Sequence, residues 1–545
     1  MLELFLCLII PIYAEVVVDN KVPELRDHVK DSHAEDSYVV QTETGPVQGY
    51  KMEDADIIQY FDIPYGRLHT NDPLREPSAA APWTNALENQ QHEKRCPQLK
   101  PDGTYTGTTE CLTLSVFAPK EAENVEVLFH IHDGDFIAGS GDPDVYSPKQ
   151  LVPEGVILVL PNYRVGPLGF ICVQDTTVKG NAGLKDLALA LNWVQNNIQA
   201  FGGNASHIAV SGSGSGGALV DYLLIANKTK HHIAKAITES GFALSHWAID
   251  RDPLKAAEIN IASFSNLESF VRNYSDVTLK PCIESEGGFI VESFWTSLQT
   301  QKISIPVMIG SANHAGSQAV LRLDQEQVSL INEDLSQLLP NDLALDDKDK
   351  NELGNRVKLH YFGYKKITIN EIDKLSLCFT DCGYISPGVR QARALTKAGA
   401  TVYFYEFSYT GYKNGPINGA AKGDSLHYVF QKDSPTVEQT DDEEGANEMK
   451  TIMKKLWISF IKTGIPTIEN VQWRAFGSTP EKEECLEIGT ELKLLDHLHS
   501  ERLKLWDEIY ERHFIENNFG STLKSPILLI LINIVATFNF VLSID

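Results

Sequence analysis

The residues with the clearest capacity for chemistry stand in a glycine-rich segment, SGSGSGG at 211–217. Apolar residues on both sides place it between a strand and a helix. Gly212, Gly214 and Gly217 match the G-x-G-x-x-G spacing of dinucleotide-binding turns, and Glu239 ends the next predicted strand, where a ribose-binding acid belongs. Dinucleotide binding is therefore a first hypothesis. Three glycines alone do not specify that function, so the elements around them must decide.

Short apolar runs that read as strands alternate with helical patterns along the chain. Strands are predicted at 125–132, 156–164, 207–210, 234–238, 306–309 and 401–407, and helices at 184–201, 218–226 and 387–398. Short, almost continuously apolar strands are typical of a parallel sheet whose two faces are covered by helices. The sequence therefore predicts an α/β fold: a single large domain at 15–517 with a mostly parallel central sheet.

Several segments around the turn resemble the type-B carboxylesterase and cholinesterase family. The similar segments are FDIPYG at 61–66, ECLTLSVFAP at 110–119, NYRVGPLGF at 162–170, GNAGLKDLALALNWVQNNIQAFGGN at 180–204, WISFIKTGIP at 457–466 and RLKLWDEIY at 502–510. The resemblance extends from one end of the predicted domain to the other. It implies the α/β-hydrolase fold.

In that family the glycine-rich turn is the nucleophile elbow, G-x-S-x-G, which lifts a serine hydroxyl above the sheet. The resemblance places Gly214 at the position of the serine, Ala315 at that of the acid and Lys422 at that of the histidine. A serine needs a base to take its proton, and the base needs an acid to orient it. None of these three residues can fill its role, so the resemblance implies three vacated triad positions.

The oxyanion loop also departs from the family pattern. The family's H-G-G-G-F becomes HDGDF at 132–136, so the resemblance assigns a degenerate oxyanion loop to Gly134, Asp135 and Ser215. A carboxylate at Asp135 would oppose the negative charge that such a loop must stabilise. Asp133 and Asp135 are equally well explained as ordinary polar residues of a loop.

The loss of all three catalytic groups from an intact scaffold resembles the neuroligins, neurotactin, gliotactin and glutactin, which act in adhesion or recognition. We therefore expect a pseudoenzyme: a non-catalytic cell-surface glycoprotein that binds an extracellular or cell-surface protein. A secreted, non-catalytic binder of a small apolar ligand is the alternative. A third hypothesis is an esterase whose catalytic residues have moved to Ser213, Ser215, His314 or His427. No cofactor and no metal are predicted, since no cysteine and histidine set has zinc spacing.

Charge and the two ends of the chain restrict the location. A formal net charge of −26 argues against nucleic acid as a partner. Residues 1–14 read as a secretory signal peptide, and 518–545 as small residues followed by an apolar tail. Such a tail is typical of glycosylphosphatidylinositol attachment, with Asn518 as a possible site, or of a membrane anchor. We expect the protein at the extracellular face of the cell membrane, with secretion as the second choice.

Entry into the secretory path permits disulfides and glycosylation. The family resemblance implies a bond between Cys96 and Cys111. It assigns no second bond, which leaves open the partners of Cys172, Cys282, Cys378, Cys382 and Cys485, with Cys485 paired to Cys378 or Cys382 as one suggestion. Glycosylation sequons stand at Asn204, Asn227 and Asn273.

The tail gives a prediction about release from cells. If a lipid replaces the apolar tail, phosphatidylinositol-specific phospholipase C will release the protein from intact cells in soluble form. Immunoblots of supernatant and cell fractions measure this release, and the same cells without the enzyme are the control. A protein that stays with the cells until detergent is added carries a transmembrane tail instead.

Overall fold

The computed structural model describes residues 38–69, 72–173, 178–253, 266–273, 279–413, 415–430, 443–479 and 482–514. The predicted signal peptide, the tail and Asn518 lie outside these residues. Within the described part of the chain, no helix is both long and apolar enough to cross a membrane.

A single large sheet forms the centre of the molecule. Its strands are β1 (Tyr38–Gln41), β2 (Pro46–Lys51), β3 (Ile57–Pro64), β4 (Thr113–Pro119), β5 (Val125–Ile131), β6 (Val156–Pro161), β7 (Gly203–Ser213), β8 (Lys235–Glu239), β9 (Pro306–Ala312), β10 (Thr401–Phe407), β11 (Cys485–Ile488) and β12 (Leu492–Leu495). Their spatial order is β1-β2-β3-β4-β6-β5-β7-β8-β9-β10-β11-β12. From β6 to β11 every neighbouring pair is parallel, and the strands outside that block pair antiparallel.

Helices cover this sheet and fill the connections between its strands. They are α1 (Gly166–Phe170), α2 (Ala182–Asn197), α3 (Ser215–Ile225), α4 (Leu267–Asn273), α5 (Phe294–Thr300), α6 (Ser317–Val320), α7 (Gln325–Glu333), α8 (Asp347–Phe362), α9 (Ile372–Thr380), α10 (Ser386–Ala398), α11 (Asp424–Phe430), α12 (Glu443–Thr463) and α13 (Ser500–His513). A π-helical turn at Asp381–Ile385 joins α9 to α10. The predicted fold class, a single α/β-hydrolase domain with a mostly parallel sheet, is confirmed.

Burial explains why these segments form strands. All six residues of β6 are buried, as are the last six of β10, because helices cover both faces of the sheet. One large apolar cluster surrounds the sheet, and a smaller one packs α6 to α9 against α13. In the smaller cluster Val357, Leu375 and Trp506 are almost fully buried.

The order of the strands decides where a site can form. Because β5 lies between β6 and β7, the connection from β6 to β7 crosses over β5. Ligands of open α/β sheets bind outside the carboxyl ends of the strands at such a switch point. The carboxyl ends of β5 and β7 lead directly into Asp133 and Gly214, two positions within the predicted site segments.

Two disulfides tie the loops to the sheet. One joins Cys96 to Cys111, and the other joins Cys172 to Cys282 across a sequence separation of 110 residues. Closing a loop of that length stabilises a fold by about 4–5 kcal/mol in the chain-entropy description. The suggested bond from Cys485 to Cys378 or Cys382 is wrong, because Cys485 is a fully buried thiol on β11.

A buried ion pair fixes the segment between β6 and α2. Arg164 and Asp186 are both completely shielded from solvent, and two guanidinium nitrogens lie 2.6 and 2.7 Å from the carboxylate oxygens. The remaining guanidinium donor Nη1 binds the carbonyl oxygens of Pro73 and Arg75, each at 2.7 Å. One side chain therefore holds three separate segments.

Removing this guanidinium leaves a buried carboxylate without its partner. We expect Arg164→Met to lower the free energy of unfolding by about 3–5 kcal/mol, measured by urea denaturation. The exposed pair Lys51–Asp56 is the control, and Asp56→Asn is expected to change stability by less than about 1 kcal/mol. A loss of similar size in both variants would contradict the account.

Candidate active site at the carboxyl ends of β5, β7 and β8

A sharp turn at Gly214 joins β7 to α3. Its φ and ψ are +53° and −123°, a backbone conformation that residues other than glycine rarely adopt. The N–H of Gly214 donates to the main-chain oxygen of Glu239 at 2.8 Å, which ties the turn to the end of β8. The structure therefore forms the strand–turn–helix elbow that the sequence predicts.

Close packing accounts for the neighbouring glycines. A Cβ on Gly212 would lie within 3.0 Å of the main chain of Gly216, and a Cβ on Gly216 within 3.0 Å of the carbonyl oxygen of Ile131. A Cβ on Gly217 would meet the carbonyl oxygen of Gly241 equally closely. These glycines let the turn, α3 and two strands approach one another, so they need no bound phosphate to explain them.

The carboxylate of Asp133 fills the space next to the elbow. A Cβ built on Gly214 would lie within 3.0 Å of both Asp133 carboxylate oxygens. Oδ1 of Asp133 accepts hydrogen bonds from the main-chain N–H of Ser215 at 2.9 Å and from its hydroxyl at 3.0 Å. Asp133 thus occupies the place where a side chain at position 214 would begin.

Lys422 forms ion pairs with this carboxylate and with a second one. Its Nζ lies 3.1 Å from Oδ2 of Asp133 and 2.8 Å from Oδ1 of Asp135. The Lys422 side chain is 7% exposed, those of Asp135 and Asp133 12% and 25%, so solvent reaches Asp133 most easily. We call Asp133, Asp135 and Lys422 the charged triplet.

The contacts within the charged triplet, together with burial, shift the pKa values of all three residues. Burial opposes the charge of Lys422, but the two carboxylates outweigh it and hold the pKa of the amine well above its ordinary value. Burial likewise opposes ionisation of Asp133, yet Lys422 and neighbouring N–H donors lower the pKa of that carboxyl. For Asp135, burial and the Asp133 carboxylate together raise the pKa.

Position 315 carries no acid, and the adjacent histidine faces a helix. Ala315 is 1% exposed at the end of β9. His314 Nδ1 lies 3.0 Å from the hydroxyl of Ser376, and its Nε2 lies 3.9 Å from a carboxylate oxygen of Asp373, both on α9. His314 therefore packs away from the charged triplet.

The other candidates for relocated residues have separate surroundings. The ring of His427 packs on Tyr412 with 4.4 Å between centroids. Ser213 is buried within β7, whereas Ser215 binds Asp133 directly. Ser215 is thus the serine that lies against the charged triplet.

A buried contact joins the elbow to the helix that follows Lys422. Glu239 accepts a hydrogen bond through its side chain from the hydroxyl of Ser425 in the first turn of α11. Burial and, to a smaller extent, the nearby Asp424 raise the pKa of Glu239 to about 8. Glu239 therefore serves this contact rather than a ribose.

Sequence reasoning assigned no role to Asp133 and described it by loop polarity. The structure shows instead that Asp133 fills the elbow and pairs with Lys422, so the polarity of this loop has a specific partner. The Asp135 carboxylate was expected to oppose the negative charge of an oxyanion, and the structure pairs this carboxylate with Lys422. The signal available in the sequence was the simultaneous gain of acids in HDGDF and of a lysine at the vacated histidine position.

Comparisons with known proteins place the chain in a family. The family profile described as the carboxylesterase family matches residues 36–506. The chain belongs to the carboxylesterase family.

Named relatives match along most of its length. Esterase FE4 of Myzus persicae is 29% identical over 81% of this chain and 87% of its own length. Gut esterase 1 of Caenorhabditis elegans is 26% identical over 87% of this chain and 93% of its own length. Among solved structures, a PNB esterase superposes with a TM-score of 0.71 at 24% identity, covering 86% of this chain and 99% of that chain. The juvenile hormone esterase of Manduca sexta superposes with a TM-score of 0.75 at 23% identity, covering 87% and 100%.

These relatives correct the functional prediction. The matched proteins are named as esterases, which contradicts the expectation of a non-catalytic protein for adhesion or recognition and points to an enzyme rather than a pseudoenzyme. The matches support the carboxylesterase family as a whole, and they do not point to its neuroligin-like or neurotactin-like members. The prediction of a non-catalytic protein relied on the identities of Gly214, Ala315 and Lys422, whereas the named relatives match most of the chain.

The shared space at the elbow gives a prediction on stability. We expect Gly214→Ser to lower the free energy of unfolding by about 1–3 kcal/mol, because the new side chain meets Asp133 and takes a strained φ. Gly363→Ser is the matched control, since Gly363 has φ +65° and ψ −144°, close to the angles of Gly214, with nothing within 4 Å of an added Cβ. It isolates the cost of the backbone conformation.

A double-mutant cycle with Asp133→Gly measures the contact itself. Urea denaturation of the single and double variants is expected to show a coupling of about 1–2 kcal/mol, because Asp133→Gly frees the space that the serine needs. Additive effects, within about 0.5 kcal/mol, would show that the two side chains do not compete.

Proposed function

We propose that this member of the carboxylesterase family hydrolyses carboxylic esters at the charged triplet beside Gly214. The observation that carries the proposal is the position of the triplet: one ammonium and two carboxylates lie at the carboxyl ends of β5 and β7. Relatives that are named as esterases and match most of the chain support the same class of reaction.

The turn offers no hydroxyl at Gly214, so the attacking oxygen must come from water. Asp133 is the proposed general base, because it is ionised, adjacent to the elbow and the most exposed member of the charged triplet. In the first step Asp133 takes a proton from water while the water oxygen bonds to the ester carbonyl carbon. The tetrahedral oxyanion then re-forms the carbonyl, the bond to the alkoxy oxygen breaks, and the leaving alkoxide takes a proton. The products are one carboxylic acid and one alcohol.

Lys422 is the proposed electrostatic stabiliser of the oxyanion. Its raised pKa keeps it an ammonium throughout the neutral range, so it carries a positive charge when negative charge develops on the ester oxygen. The charge is fixed in a poorly solvated place, where such an interaction is stronger than in water. Asp133, which carries the proton taken from water after the first step, returns that proton to the leaving alkoxide and is ionised again.

Aromatic side chains next to the triplet suit an apolar part of the ester. Phe136 directly follows Asp135, and its ring lies 6.4 Å from that of Trp247. Trp247 in turn lies 5.6 Å from Tyr384, a residue that acts electrostatically on Lys422. The proposed substrates are therefore esters with an apolar acyl or alcohol group.

Two disulfides support an extracellular setting for this activity, because such bonds persist in oxidising compartments. Attachment through the apolar tail stays a prediction, as does an interaction with another extracellular protein. Asn227 is exposed and Asn204 partly exposed, which suits glycosylation at both positions.

Hydrolysis of p-nitrophenyl butyrate by the purified protein tests the proposed function. We expect Asp133→Asn and Lys422→Met each to lower kcat/KM by about 10²–10⁴-fold, the usual contribution of a general acid–base group. Asp54→Asn, an exposed carboxylate paired with Lys149, is the control and is expected to leave the rate unchanged. A wild-type rate equal to that of Asp133→Asn would contradict the proposal.

The pH dependence gives a second measurement on the same protein. Because the pKa of Asp133 is lowered, the base stays ionised as pH falls through the neutral range. We expect kcat/KM to stay flat there and to decline only near or below the titration range of an ordinary aspartate, at about pH 4. A decline near pH 6.5 would instead indicate a histidine as the base.

A further inference from the structure

We propose that Glu239 is a positioning residue, which holds Lys422 against Asp133 and Asp135 through its contact with Ser425. The inference rests on the proposed function for its role in catalysis, since it concerns the geometry of the charged triplet. Its structural part, the control of Lys422 by Glu239, is open to measurement without any substrate.

Glu239 touches both sides of the site. Its main-chain oxygen accepts the N–H of Gly214 at 2.8 Å, and its carboxyl group accepts the hydroxyl of Ser425. Gly214 is the elbow against which Asp133 packs, and Ser425 lies three positions after Lys422 in the sequence. One residue therefore links the two halves of the charged triplet.

The turn that carries Lys422 is held on its other side by β9. Ala420 donates its N–H to the side chain of Asn313 at 2.8 Å and accepts the N–H of His314 at 3.0 Å. Gly423, with φ +91°, follows Lys422 and leads into α11. Lys422 thus stands between two attachments, one before it at Ala420 and one after it at Ser425.

The chemistry of the contact suits a fixed attachment. Glu239 is fully buried, and its raised pKa of about 8 keeps it largely protonated at neutral pH. Asp424, whose pKa burial raises to about 7, and Tyr405 on β10 are the other titratable groups that act on it. A neutral acid offers Ser425 a carbonyl oxygen, and a glutamine side chain offers the same acceptor at nearly the same place.

The test measures the reactivity of the Lys422 amine in four variants of the full chain. Acetic anhydride acylates accessible, unprotonated amines, and peptide mass spectrometry reports the labelling rate of each lysine, with exposed Lys348 as the internal reference. We expect Glu239→Ala and Ser425→Ala to raise the Lys422 labelling rate at least fivefold, because the amine leaves its two carboxylates. Glu239→Gln is expected to stay within twofold of the wild type.

Asp221→Asn is the matched control. Asp221 is also a fully buried acid whose pKa burial raises to about 8, but it accepts hydrogen bonds from the N–H of Ala243 and the side-chain amide of Gln391, neither of which belongs to α11. Its loss is expected to leave Lys422 labelling unchanged. Circular dichroism confirms folding, and Ser425→Ala, the smaller change, decides the matter if Glu239→Ala does not fold.

The outcomes separate this inference from the proposed function. Unchanged Lys422 labelling in Ser425→Ala overturns the positioning role whether or not esters are hydrolysed. So does an increase in Glu239→Gln or in Asp221→Asn as large as that in Glu239→Ala. If hydrolysis is present, Glu239→Ala is expected to lower kcat more than tenfold with KM within twofold, and Glu239→Gln to restore it. If hydrolysis is absent, the proposed function fails while the labelling rates still decide what Glu239 does.

Discussion

One ammonium bridges two carboxylates at the edge of the central sheet, and the local structure depends on that bridge. Lys422 brings a charge from the segment before α11 to a loop nearly three hundred residues earlier in the chain, with contacts of 3.1 and 2.8 Å. Without it, Asp133 and Asp135 would lie close together with little solvent to separate their charges. The triplet therefore explains why three substitutions of the family pattern occur together.

Space imposes a second constraint at the same place. Asp133 is held by Ser215 and occupies the volume next to Gly214, so the identity of residue 214 and the identity of residue 133 are not independent. The neighbouring carboxylate leaves room only for a glycine, which also adopts the backbone angle of the turn without strain. The elbow keeps the family's main-chain geometry while its polar group comes from a different segment.

Much of the fold follows from local pattern, and less of the site does. The strand predicted at 401–407 is β10 as observed, because a short apolar run covered on both faces has few alternatives. The strand that precedes the elbow was predicted only at 207–210, whereas β7 extends over Gly203–Ser213, since its polar ends carry no apolar signal.

Positions 214, 315 and 422 lie close to the ends of helices and strands, as the resemblance implied. The place of Asp133 was not predictable in the same way, because it depends on a packing contact between two loops. The bond between Cys172 and Cys282 was missed because neither spacing nor resemblance marked it.

That bond has a consequence for the order in which the chain acquires its structure during synthesis. The ribosome makes Cys172 before α2, β7, α3 and β8, and it makes Cys282 after all of them. The covalent ring can close only when the elbow and the two strands beside it have already left the ribosome. An oxidising enzyme that reached Cys172 early would find no native partner, so correct pairing depends on these strands having brought the two thiols together. The segments that form the elbow are thus made before the bond that later encloses them.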